Sequence, residues 1–194
     1  MRRPNRNPWL AVAIIGGLAY PPLVWFGMSR LPPGIIVLFG LGLIGLRLLG
    51  NRRAERGVAE AAALALILAG VGLAVLLLLA PSAAALAYPI AVSLATAMIF
   101  GRSLIRPPTV VERIARLREP DLAPQGVLYA RRVTVVWTIF LVANAAVSGA
   151  TALWGTLETW TLWNGLISYL LMGMLFVGEI GVRQVVRRRH AVLS

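Results

Sequence analysis

Apolar runs close to twenty residues long recur along this chain, each bounded by arginines or by a proline-rich turn. A helix needs about that length to cross the roughly 30 Å hydrocarbon layer of a bilayer. The runs cover about residues 9–28, 34–50, 58–80, 83–100, 133–154 and 162–182. They predict an all-α integral membrane protein, a six-transmembrane-helix bundle forming a single domain over residues 1–194. No intervening stretch is long and polar enough to fold as a separate soluble unit. With 59% hydrophobic and 13% charged residues, the composition also lies outside the soluble range. The first run continues past Tyr20-Pro21-Pro22 without a small-x-small cleavage site, so it reads as a retained span rather than a cleaved leader.

The formal charge is +12, and every basic residue except His190 is an arginine. The placement of these arginines argues against nucleic acid as a partner, because they sit at the ends of apolar blocks. The N-terminus, the 47–57 connector, the 102–132 stretch and the tail hold eighteen of the nineteen, and the opposite connectors hold only Arg30. Six spans with both termini cytoplasmic satisfy the positive-inside rule, and the expected location is the bacterial inner membrane. Trp9, Trp25, Trp154, Trp160 and Trp163 fall near span ends, where aromatic rings favour the interface. Arg47 is expected to extend its long side chain to the nearer surface.

The longest polar interval is 102–132, with seven arginines. Pro107-Pro108 ends the fourth helix. Thr109 and Glu112 form a capping-box pattern, so a short amphipathic helix is expected to follow. Val110, Val111, Ile114 and Leu117 share its apolar face, while Glu112 and Arg116 stand in a favourable i,i+4 order. Pro124-Gln125-Gly126 reads as a turn. Such a helix would lie flat among headgroups. A basic loop that fixes topology and touches anionic lipid is one reading. The other is an electrostatic docking face for an acidic partner, formed by Arg113, Arg116, Arg118, Arg131 and Arg132.

Polar residues inside the runs are the other candidates. Asn144, Ser148 and Thr151 share a face of the fifth run; Asn164, Ser168 and Glu179 share a face of the sixth. They read as interhelical hydrogen-bonding groups or as the lining of a groove between the last two helices. For Glu179 the alternatives are an ion pair with Arg183, Arg131 or Arg132 and a functional intramembrane acid. Glu60 with Arg56 or Arg47 has the same two readings. Glycines on the second, third and sixth runs permit close helix packing, and a homo-oligomer is compatible with them. There is no cysteine, no histidine or paired-carboxylate constellation and no phosphate-binding loop. The sequence therefore predicts no catalytic, cofactor-binding or metal site and no cofactor.

The phrases PPTVVERIARLREPDLAPQGVLYARRVTVVW, FLVANAAVSGATALW and WTLWNGLISYLLMGMLFVGE cover roughly residues 106–188. They resemble an uncharacterised bacterial membrane-protein family encoded beside aryl polyene and xanthomonadin-type pigment genes, whose neighbours look like a fatty-acid-synthase set. The element Trp137, Phe140 and Asn144 between a basic proline loop and a Trp-rich turn is similar, more distantly, to the intracellular septation protein A family. The resemblance implies a non-enzymatic accessory or scaffold in making a membrane-bound polyene or other lipid, with acyl carrier protein or synthase subunits as partners beside membrane lipids. The alternatives are a small transporter or lipid-handling protein using Asn144, Asn164 and Glu179, and a septation-type envelope scaffold.

Overall fold

The computed structural model describes residues 8–51, 56–117 and 119–191, with residues 8–11, 13–14, 50–51, 56–58 and 182–191 described by their backbone alone. It is all-helical. The elements are α1 (Pro8–Gly27), α2 (Pro33–Asn51), α3 (Arg56–Leu79), α4 (Pro81–Ile105), the short α5 (Val110–Arg116) and α6 (Pro124–Trp154). A last helix begins as α7 (Leu157–Leu162), widens through a π-helical turn at Trp163–Ile167 and continues as α8 (Ser168–Ala191). Among the described residues four helical stretches are long and apolar enough to cross a membrane: Ala59–Leu79, Pro81–Ile105, Pro124–Trp154 and Leu157–Gly181. Pro33–Leu49 is a shorter apolar helix.

The packing leaves many large apolar side chains outward and places polar residues among the apolar ones inside. Leu78, Leu79, Ile105 and Val177 point outward, whereas Ser93, Thr134, Asn144, Ser148, Asn164 and Ser168 are buried. In water this arrangement would expose the wrong surface. In a bilayer the lipid tails are as apolar as leucine, so the interior is where polar groups find partners and small residues allow close approach. Helix α4 is the centre of the bundle, packing most extensively against α3 and α6. Its Ala84, Ala85, Tyr88 and Ala95 belong to one core with Tyr20, Val24, Ile36, Val37, Leu43, Ile44 and Trp160.

Prolines inside the helices do not end them. Pro21 and Pro22 lie within α1, and Pro89 lies within α4. A proline has no N–H to offer the carbonyl four residues earlier, so Pro21 frees the carbonyl of Gly17 and Pro89 frees that of Ala85. Both carbonyls are taken up by tyrosines from other helices. The Tyr20 hydroxyl donates to the Ala85 oxygen at 2.9 Å, and the Tyr169 hydroxyl donates to the Gly17 oxygen at 3.2 Å. An unmet carbonyl in an apolar medium costs several kcal/mol. These two bonds therefore join α1 to α4 and α8 to α1 where the helices would otherwise be weakest. Gly40 makes room for the first: a Cβ there would lie 2.9 Å from Tyr88 Cδ2 and 3.1 Å from Tyr20 Cε2. The Tyr20 and Tyr88 rings pack with centroids 4.1 Å apart.

The connector between α4 and α6 is shorter than the sequence suggests. Pro124 begins α6 instead of a turn, because a proline at the first helical position loses no hydrogen bond. At 31 residues α6 is about 46 Å long, so its first turns extend beyond a 30 Å hydrocarbon layer. The Thr109–Glu112 capping box is present, with both reciprocal bonds at 3.3 Å. Helix α5 buries Glu112 and Ala115 and leaves Ile114 and Leu117 exposed at 59% and 85%. Its apolar face is thus free to enter a lipid surface.

If the tyrosine hydroxyl substitutes for the missing proline N–H, the two residues are coupled. Tyr20→Phe should lower the thermal unfolding midpoint in detergent, at a cost of about 1–2 kcal/mol. The same change in a Pro89→Ala background should cost much less, because the backbone N–H restored by that substitution then meets the Ala85 carbonyl. Equal losses in both backgrounds would remove the assignment.

Candidate functional site

Three departures from regular helix meet at one place. They are Pro21 in α1, Pro89 in α4 and the π-turn at Trp163–Ile167. A Cβ on Gly165, within that turn, would come 3.4 Å from the Pro21 Cβ, so the turn packs closely on the proline-bearing part of α1. In the widened turn the Asn164 amide donates to the Trp160 carbonyl at 2.9 Å, and the Ser168 hydroxyl donates to the Trp163 carbonyl at 2.6 Å. π-turns and irregular backbone at such depth recur where helices line a functional cavity.

A cavity of about 270 Å³ lies there. Helix α4 contributes Tyr88, Pro89, Val92, Ser93, Thr96 and Phe100, a face repeating every three or four residues. Trp137, Leu141 and Asn144 come from α6, and Asn164, Ser168, Tyr169 and Met172 come from the last helix. Gly17 and Pro21 of α1 and Arg47 of α2 complete the wall. The lining grades from polar groups around Tyr88, Ser93, Asn144 and Asn164 to the apolar Phe100, Trp137, Leu141 and Met172. The Phe100 and Trp137 rings lie 6.5 Å apart.

Two hydrogen bonds hold the polar wall. Asn144 Nδ2 donates to Ser93 Oγ at 3.2 Å, and Ser148 Oγ donates to Asn164 Oδ1 at 2.7 Å. They cross-link α4 to α6 and α6 to the last helix. Two buried polar atoms of the lining have no partner: Asn144 Oδ1 and the Tyr88 hydroxyl. Turning the Asn144 amide over would only exchange which of its ends is unpaired. Both residues line the cavity, and both atoms are buried from bulk solvent.

Arg47 differs from its sequence expectation. Instead of extending away to a surface, it is half-buried and turned into this cavity. The glycine at position 17 leaves it space, since a Cβ there would lie 3.2 Å from Arg47 Nη2. No residue of the lining is acidic, and among the described residues Arg47 has no salt bridge. Glu60, one partner expected for it, is exposed and unpaired with it; the side chain of Arg56 lies outside the described residues.

Of the intramembrane candidates, Asn144 and Asn164 are therefore brought together and Glu179 is not. Glu179 lines a separate groove between α6 and α8 with Tyr129, Arg132, Val136, Trp137 and Met174. There the Tyr129 hydroxyl donates to the Glu179 carbonyl at 3.1 Å. No salt bridge joins Glu179 to Arg131 or Arg132, and the Arg183 side chain lies outside the described residues. The position sharing a helical face with Asn164 and Ser168 is about three turns away, too far to reach the same cavity.

The arginine cluster of the 102–132 stretch is tied partly to its own backbone. Arg113 Nε donates to the Pro108 carbonyl at 2.9 Å. Arg116 pairs with Glu112 at 2.9 Å and reaches the Pro120 carbonyl at 3.0 Å. Arg131 donates to the Leu104 carbonyl at 3.2 Å, stitching α6 to the end of α4. Arg132 is exposed beside the Glu179 groove, and Arg118 lies outside the described residues. Trp160 also departs from expectation: it is fully buried in the core instead of lying at an interface, whereas Trp154 is exposed at 82%. The Trp9 side chain lies outside the described residues.

Sequence reasoning missed Arg47, Tyr88, Tyr169 and Ser93 as members of one site. A usable signal is present in the pairing of intrahelical prolines with tyrosines inside apolar runs.

The fold and the site define a class: an all-α bundle with bilayer-length apolar helices and a cavity lined by both polar and apolar side chains, beside an arginine that has no salt bridge among the described residues. No family model, curated protein or solved structure matches the chain.

The absence of cysteine makes a single introduced thiol a clean reporter. Thr96→Cys, on the cavity wall, should react with a small water-soluble methanethiosulfonate reagent in the folded protein. Ser148→Cys, at a position with 0% exposure, should stay unlabelled until the protein is denatured. Equal labelling of both would mean that the cavity is not a distinct accessible space.

Proposed function

We propose that the protein is a non-enzymatic membrane protein that binds and handles an amphiphilic small molecule or lipid in the cavity between α1, α2, α4, α6 and the last helix. The observation that carries this reading is a cavity of about 270 Å³ where three irregular helix segments converge, lined by Asn144 and Tyr88, whose Oδ1 and hydroxyl have no partner among the described residues. Buried polar groups in a purely structural bundle are expected to find partners. A discontinuous helix facing a midplane cavity is also how membrane transporters build substrate sites. Membrane lipids are the nearest source of such a ligand. The grading of the wall from polar to aromatic suits a molecule with a polar head and an apolar body.

The proposed setting is the bacterial inner membrane, with α1, α2 and α3 as the first three of six spans, the last three formed by α4, α6 and the final helix, and both termini cytoplasmic. Support comes from eighteen of nineteen arginines falling in alternate connectors and the termini. Alkaline phosphatase fused at either terminus should be inactive and a fluorescent protein bright. Active phosphatase at either end would overturn this topology.

A docking role for Arg113, Arg116, Arg131 and Arg132, towards anionic lipid or an acidic carrier protein, is the second reading. It is favoured by the exposed apolar pair Ile114 and Leu117 beside those arginines, a combination that suits a headgroup layer. The polyene or lipid-synthesis context suggested by the family resemblance fits either reading.

Filling the cavity tests the first proposal without disturbing its hydrogen bonds. Wild-type protein released from nanodiscs should carry a bound amphiphile by native mass spectrometry, and Val92→Phe should carry much less. No difference between the two would count against a ligand site.

A further inference from the structure

Among the described residues the cavity holds a cation without a counter-charge, and this narrows its ligand. An arginine guanidinium is a permanent cation and presents a planar fork of donors suited to carboxylate or phosphate oxygens. An unpaired charge within an apolar bundle is costly to hold. Among the described residues the lining contains no Asp or Glu, and the acids are placed elsewhere: Glu112 is bonded to Arg116, Glu119 follows α5 with its amide on the Ala115 carbonyl, Glu179 faces another groove, and Glu60, Asp121 and Glu158 are exposed.

Resting on the ligand-binding reading above, we propose that Arg47 binds the anionic oxygen group of an amphiphile, a carboxylate or a phosphate joined to an apolar tail. Asn144 and Tyr88 supply the remaining contacts with the head. Asn144 Oδ1 accepts from a hydroxyl or amide N–H near the head, and the Tyr88 hydroxyl donates to one of the anionic oxygens. The apolar body extends along Val92, Leu141, Met172 and the Phe100–Trp137 pair. At about 270 Å³ the cavity lies just below the roughly 300–1,000 Å³ of pockets that enclose a whole drug-sized ligand. It therefore encloses the head and the first part of the tail, and the rest of the tail lies outside. A charge-assisted, forked contact in a low-dielectric setting makes the charge of the head, more than tail length, the determinant of affinity.

The test is competition for radiolabelled palmitate on the full chain in nanodiscs, with binding to Val92→Phe taken as lipid background. Unlabelled palmitate and lysophosphatidic acid should compete, and methyl palmitate, which keeps the tail and loses the charge, should compete about tenfold more weakly or worse. Arg47→Gln should erase the difference between acid and ester, while Arg47→Lys, which keeps the charge, should retain much of it. If acid and ester compete equally, or Arg47→Gln preserves the preference, the charge assignment falls. In that case loss of both ligands in Val92→Phe would leave the cavity reading standing, and equal binding to Val92→Phe would remove that as well. Displacement by inorganic phosphate at the potency of lysophosphatidic acid would identify a free-anion site and overturn the amphiphile. Should Arg47→Gln fail to give a monodisperse folded protein, the acid–ester comparison on wild type and Arg47→Lys decides the question.

Discussion

A backbone carbonyl that loses its helical N–H in an apolar medium has to be met by something else, and much of this bundle is arranged around two such carbonyls. Pro21 and Pro89 create them at Gly17 and Ala85. Tyr169 and Tyr20 meet them across helix boundaries, over sequence separations of 152 and 65 residues. Each hydroxyl holds one helix at a defined depth against another. The Tyr20–Tyr88 packing and the close approach at Gly40 follow from the second bond, and the seating of the π-turn against Pro21 accompanies the first. An all-leucine contact would slide, because dispersion is nearly indifferent to register; these bonds are directional and do not.

The same irregularities open the cavity. Helices α1 and α4, each interrupted by proline, and the widened turn of the last helix cannot pack as three regular rods. The space left between them collects Ser93, Asn144, Asn164 and Ser168. Asn144 bonds Ser93 and Asn164 bonds Ser148, which ties α4, α6 and the last helix together. What distinguishes the site from packing alone is Arg47, turned into the cavity without a salt bridge among the described residues. By contrast, the arginines of the 102–132 stretch, which look in sequence like a free basic patch, spend several of their donors on local carbonyls and on Glu112. Their electrostatic field remains, while their side chains also hold the connector in place.

Much of the architecture was legible from short-range pattern. The four bilayer-length helices lie where the apolar runs stand. The α5 capping box needed only Thr109 and Glu112, three residues apart, and the Glu112–Arg116 pair only one helical turn. Local reasoning erred at Pro124, where proline opened a helix instead of a turn, and at Trp160, which the core buries completely. It also grouped Glu179 with Asn144 and Asn164 in one groove, although Glu179 stands about three helical turns beyond Ser168.

By itself the sequence determined the all-helical character, the long apolar elements, the capped amphipathic helix and the presence of polar groups within apolar stretches. Those properties depend on hydropathy and on contacts within one turn, which residues a few positions apart establish. Tertiary structure alone decided which of those polar groups meet. It turned Arg47 inward beside Gly17, set Tyr169 and Tyr20 on their proline-freed carbonyls, and sent Glu179 to a different groove. The physical reason is that a buried hydrogen bond or an interior charge depends on helix depth and rotation, and these emerge only when all the helices pack together.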